Sequence, residues 1–175
     1  MEIDVQARVA GAPPAARVRR LLSRAAKATR ARSAGVSVLF CADGRMRSLN
    51  RRYRGKDRST DVLAFPAGAA GEACLGDIVI SMPYARREAR RRDEPAAREV
   101  DRLLLHGFLH LMGYDHETDD GEMEALEGRL RRRLRISDAE RERLAGGPGR
   151  TRSGSGLRIG SSSREAAARG RRAGR

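Results

Sequence analysis

The run Val100-Asp101-Arg102-Leu103-Leu104-Leu105-His106-Gly107-Phe108-Leu109-His110-Leu111-Met112-Gly113-Tyr114-Asp115-His116 holds the most apolar helix the chain can form, and all three of its histidines. Pro95 starts that helix, since proline is tolerated in the first turn. Val100, Leu103, Leu104, Phe108, Leu109, Leu111 and Met112 wrap most of its circumference, as in a helix buried at the centre of a domain. Gly113 stands where a C-cap is expected. His106 and His110 are four residues apart, so both imidazoles leave the same face about one turn apart. His116 follows six residues later, past a glycine that lets the chain turn back. Three neutral ring nitrogens with a fourth position left open describe a catalytic zinc site rather than a closed structural one. Each buried imidazole without a partner would cost about 1–3 kcal/mol, and one shared ion satisfies all three. Among abundant divalent ions, three histidines favour zinc, one ion per chain.

The spacing also matches the zinc-protease pattern H-E-x-x-H-x-x-G-x-x-H at His106, His110, Gly113 and His116. Gly107 stands where those proteases carry the glutamate that serves as general base. Ordinary zinc proteolysis is therefore disfavoured.

Outward from this helix the pattern alternates between strands and helices. Residues 3–9 alternate apolar and polar with period two and predict a strand. Pro13 and Pro14 open a helix running to about Arg32, with Val18, Leu21, Leu22 and Ala25 at helical spacing. Residues 35–41 form a second strand, and Asp43 caps a helix that Gly55 ends after Arg54. A short strand over 61–65 stops at Pro66, and a small-residue loop over 67–74 leads to a strand over 75–81. Ser81 or Met82 begins a helix with Pro83 in its first turn. Helix 121–135 carries Met123, Leu126, Leu130 and Leu134 on one stripe, with a last turn or two over 138–145. The order predicts an α+β domain over residues 1–145, with a small mixed four-stranded sheet, about five helices, and the metal site on the central helix and the loop after it.

Residues 146–175 hold one Leu and one Ile among Gly, Ser and Arg, too little apolar surface to repay ordering, and are expected to be a disordered tail. The net charge is +14, and half of it falls in that tail, where eight Arg meet only Glu165. The remainder is basic on its own, which favours a polyanionic partner, nucleic acid before others. Nearly all the cations are Arg, a choice that fits genome base composition as well as any Arg-specific chemistry. No apolar run approaches the ~18 residues of a membrane span. The acidic, alternating N-terminus is unlike a signal peptide. Two cysteines, Cys41 and Cys74, suit a reducing compartment and lack ligand spacing. A cytoplasmic protein is expected. Only three Phe and three Tyr are present, mostly in core segments, so nucleic-acid binding is expected to be mostly electrostatic rather than built on stacking.

H-G-x-L-H-L-x-G-Y-D-H, here His106 to His116, resembles the YbeY family of bacterial endoribonucleases and rRNA maturation factors. Leu49-Asn50-Arg51-Arg52-Tyr53-Arg54-Gly55-Lys56-Asp57, Thr60-Asp61-Val62-Leu63-Ala64-Phe65-Pro66, Leu75 to Ser81 and Glu122 to Glu127 resemble further segments of that family. Ser59 stands where the family usually has Pro, and Ala64 where it usually has Ser. The resemblance spans roughly residues 1–145, and the tail has no counterpart in it. It implies zinc-dependent, single-strand-specific cleavage of RNA, in maturation of the small-subunit rRNA 3′ end and in ribosome quality control. It also implies partners in the small ribosomal subunit and its proteins, with no membrane and no DNA. Finally, it implies an essential arginine, which falls at Arg54. A guanidinium offers planar, permanently charged donors to a phosphoryl group as negative charge builds there. Arg54 and His110 are thus the expected catalytic residues, with His106, His110 and His116 on the metal. Two other readings remain at this level: a non-catalytic ribosome-assembly factor with a structural zinc, and a zinc hydrolase of another substrate.

Lesser candidates carry weaker signals. Asp115 can orient a ligand or make an Asx-turn. Asp61 and Asp77 can line a cleft or cap strands, and Thr60 can meet phosphate or serve a turn. The basic run Arg86–Arg92 can extend an RNA track or simply face solvent.

Overall fold

Period-two stretches form the strands and amphipathic stretches the helices, in the order expected. A computed structural model describes residues 1–31, 34–67, 74–116 and 118–136. The expected turn over 138–145 and the expected tail 146–175 lie outside the described residues. The elements are β1 (Ile3–Ala7), α1 (Ala15–Thr29), β2 (Gly35–Cys41), α2 (Asp43–Arg54), β3 (Val62–Pro66), β4 (Cys74–Ser81), α3 (Met82–Arg91), α4 (Ala96–Leu111) and α5 (Glu122–Leu134). The sheet order is β1-β2-β4-β3. β1 and β4 flank β2 in parallel, and β3 runs antiparallel to β4. This is the mixed four-stranded sheet with five helices that the sequence predicts.

The two sheet faces have different covers. Val36, Val38 and Phe40 of β2 join Ile78 and Ile80 of β4 on one face, in a core completed by α1, α4 and α5. α4 packs on β3, β4, α1, α3 and α5, which is why its apolar residues wrap most of its circumference. On the other face a smaller cluster of Cys41, Leu63 and Val79 meets Met46 and Leu49 of α2.

Several boundaries differ from expectation. β1 stops at Ala7 rather than Val9, although the Arg8 amide still donates to Phe40 O at 3.0 Å. α1 stops at Thr29 because Arg30 turns left-handed, at φ 55°. Pro66 ends β3 from within; on an edge strand its missing N–H leaves no ladder partner unserved. Cys74 is the first residue of β4 rather than a loop residue, and it is exposed, whereas Cys41 is buried. Asp43 is not a cap. It is the first residue of α2, and its carboxylate accepts from Ser59 Oγ (3.0 Å), Ser81 Oγ (2.5 Å) and Arg87 Nη1 (2.6 Å). Burial pushes this carboxyl up, but those three bonds outweigh it and hold it below the ordinary range. α2, α3 and the loop before β3 are thereby tied to one side chain.

The central helix also hides charge that its apolar periodicity conceals. Arg102 and Glu99 of α4 are both buried, with Arg102 Nε 3.0 Å from Glu99 Oε2. Arg102 also pairs with Glu94, and Arg92 reaches Glu99 at 3.2 Å. The α3–α4 junction is built on this ion cluster, one turn before His106.

Candidate active site

α4 projects His106 and His110 from its last turns, and its ending delivers the third imidazole. Gly113 N donates to His110 O (3.0 Å) and Tyr114 N to Leu109 O (3.2 Å), the double bond of a Schellman ending. Gly113 has φ 90°, a conformation that side chains resist and glycine accepts. Asp115 O then accepts from the amides of Thr118 (3.0 Å) and Asp119 (2.9 Å), which curls the loop around His116. The ring centroids lie 4.7 Å (His106–His110), 5.2 Å (His106–His116) and 5.2 Å (His110–His116) apart. One nitrogen from each ring lies within 4.8 Å of the others, so the group could hold a metal ion.

Protonation favours that use. His106 Nδ1 is 3.1 Å from Glu127 Oε2. Burial pushes the Glu127 carboxyl up, but His106 and Arg131 outweigh it and hold it below the ordinary range. An ionised carboxylate only accepts, so Nδ1 donates in this bond, and Nε2 is the nitrogen the neutral ring offers a metal. That Nε2 faces His110 Nε2 at 3.1 Å. The edge of a tetrahedron of nitrogens around zinc is about 3.3 Å, so the pair needs little adjustment to share an ion. Burial, with the nearby His106 and His116, pushes His110 down against a smaller opposing pull from Asp115. A lowered value keeps the ring neutral at pH 7, the form that ligates.

The three histidines line one cleft of ≈ 290 Å³ together with Arg54, Lys56 and Arg58. Arg54 closes α2, and Gly55 turns the chain out of the helix. The loop that follows is pinned at two points. Buried Asn50 donates from Nδ2 to Arg58 O (2.8 Å), and Arg47 donates two hydrogen bonds to the Asp57 carboxylate (2.8 and 2.7 Å). Three cations thus stand across the cleft from three imidazoles.

A Cβ at Gly107 would lie 2.9 Å from Ile78 Cγ2 and 3.4 Å from Val62 Cγ2. Helix and sheet touch at that point, so a side chain at 107 would press on Ile78 and Val62.

The lesser candidates separate. Thr60 and Asp61 line the cleft, but Asp61 Oδ1 accepts from Val62 N (2.8 Å) and Thr60 Oγ1 (3.0 Å), which caps the strand start. Asp77 is exposed on the α2 face of the sheet and does not line the histidine cleft. Of the basic run, Arg86 bonds Ala10 O, Arg87 bonds Asp43, Arg91 bonds Glu88 and Arg92 bonds Glu99. Four of these five arginines thus make intramolecular bonds while their side chains stay largely at the surface.

Glu127 received no role from the sequence, although a signal was there. It falls on the buried stripe Met123, Leu130 and Leu134 of α5, where a carboxylate needs a partner. Lys56 and Arg58 gave no such signal, being two cations among many. Replacing Glu127 with Gln keeps the shape and removes the charge that fixes the His106 tautomer. Metal affinity, read by competition with a chelator, is expected to fall about 10–100-fold.

The model of the family described as "Endoribonuclease YbeY" matches residues 6–135. A curated relative of that name from Koribacter versatilis is 48% identical over 122 residues, covering 70% of this chain and 78% of the relative. Another, from Methylocella silvestris, is 45% identical over 119 residues, covering 66% of this chain and 68% of the relative. The solution structure of a protein from Thermotoga maritima superposes with a TM-score of 0.56 at 24% identity, covering 87% of this chain and 99% of that one, a likeness of fold alone.

Proposed function

The chain belongs to the endoribonuclease YbeY family, and from that premise we propose that it is a zinc-dependent endoribonuclease of single-stranded RNA. Its proposed place is the cytoplasm, in maturation of the small-subunit rRNA 3′ end and in ribosome quality control, with the small ribosomal subunit and its proteins as partners. Among the described residues no helix is long and apolar enough to cross a membrane. The observation that carries the reading is that Arg54 and all three histidines line one cleft.

His106, His110 and His116 would hold the ion, with Glu127 fixing the His106 ring so that Nε2 serves it. A metal bound there would supply Lewis acidity toward a phosphoryl oxygen and lower the pKa of a water. Arg54 donates to the non-bridging oxygens of the scissile phosphate, where charge grows in the transition state. Lys56 and Arg58 take the neighbouring phosphates and set the path of the strand. Peptide hydrolysis gains no support, since position 107 is a glycine and carries no base.

The test is cleavage of a precursor small-subunit rRNA 3′ end by the zinc-loaded full chain, beside an Arg54→Ala variant. The variant is expected to lose about 10²–10³-fold in kcat, the usual worth of one donor aimed at developing charge. Bound zinc per chain should not change. Equal cleavage by parent and variant would sink the assignment.

A further inference from the structure

Tyr53 is the one large hydrophobic side chain that stands exposed among the described residues, at 56%. It is the neighbour of Arg54 on the last turn of α2, but it faces a different hollow. That groove, ≈ 440 Å³, lies on the part of the sheet that α2 leaves open, and Tyr53, Phe65, Leu49, Arg45, Asp77 and Asp4 line it. Phe65 meets the Tyr53 ring edge-on, with centroids 5.0 Å apart. The Arg52 guanidinium sits 5.4 Å from the same ring. Phe65, Asp77, Ser37 and Asp4 form a single row of paired residues across β3, β4, β2 and β1.

We propose that this groove takes one unpaired nucleobase of the RNA strand whose phosphate meets Arg54, with the base stacked on Tyr53. The proposal rests on the RNA-cleaving reading above and extends it to a base-binding subsite. Adjacent residues on a helix point about 100° apart, so a strand crossing the end of α2 can leave its phosphate on the Arg54 side and its base on the Tyr53 side. The charges sort the two parts of a nucleotide. Arg45 and Arg52 attract the backbone, whereas Asp77 and Asp4 repel phosphate and accept from amino groups on a base edge. Adenine, cytosine and guanine carry such amino groups, whereas uracil offers only its N3–H donor, so the groove favours the first three. The proposal goes beyond the expectation of mostly electrostatic binding: one aromatic stands exposed beside Arg54 instead of buried.

The experiment uses the zinc-loaded full chain and RNAs with 2′-O-methyl sugars and phosphorothioate linkages, so that the strand stays intact. Short single-stranded RNAs carry 2-aminopurine at each position in turn, and fluorescence reports stacking. On binding, quenching is expected at one position. Tyr53→Ala should abolish it and raise Kd about tenfold or more, the worth of one stacked base. Tyr53→Phe should restore both, with the thermal midpoint unchanged in either variant. Binding without position-specific quenching, or equal Kd for Tyr53→Ala and parent, overturns the stacking subsite and leaves the RNA reading standing. No RNA binding by the parent overturns both.

Discussion

His110→Ala is expected to reduce RNA cleavage to background and to leave the purified chain without stoichiometric zinc. Two nitrogens cannot close a site designed around three, so the loss in metal affinity should exceed the ~10–100-fold expected from disturbing a supporting carboxylate. The fold should survive. The imidazole is half-buried at the cleft, beside His106 and His116, rather than inside the core. The metal-free thermal midpoint should therefore stay within a few degrees of the parent's. Elemental analysis and a cleavage time course on the same preparation make the check. Retained cleavage with zinc still bound would place the chemistry elsewhere.

Arg102→Met is expected to give a large loss of stability. The side chain is buried, and its loss leaves Glu94 and Glu99 buried without their main cation. Burial alone would push the Arg102 guanidinium toward losing its proton, but the two glutamates outweigh it and hold it charged beyond the ordinary range. Breaking a buried ion cluster from one side costs about 3–5 kcal/mol. In a domain of this size that lowers the thermal midpoint by about 10 °C or more. Adding Glu94→Gln and Glu99→Gln should recover much of the loss, because the cost lies in the abandoned charges more than in the lost contact. Calorimetry of the single and triple variants decides it. A single variant within 1 kcal/mol of the parent would mean that water reaches the cluster. The cluster sits one turn before His106, so the single variant should also weaken cleavage at temperatures where the fold still holds.

Much of this was legible in the chain itself. His106, His110 and His116 are close in sequence, and a helix followed by a glycine turn has few ways to arrange them. Every strand and helix was visible because each has its own period within about ten residues. The departures were local as well. Asp43 reads as a cap because Asp before a helix usually is one. Only the arrival of Ser59, Ser81 and Arg87 gives its carboxylate other work.

What the sequence by itself determined is therefore whatever short-range geometry encodes: the element order, the central apolar helix, and a histidine triad spaced for one ion. The tertiary structure alone decided the strand order β1-β2-β4-β3, the burial of Arg102, the placing of Glu127 behind His106, and the contact of Gly107 with Ile78. It also brought Arg54 into the cleft of histidines more than fifty residues away in the chain, a meeting that the family resemblance implied and local pattern could not. The reason is physical. Periodicity records which face of an element is buried, whereas the partner on that face is chosen by packing among elements distant in sequence, and a buried charge or a close glycine acquires its meaning only from that partner.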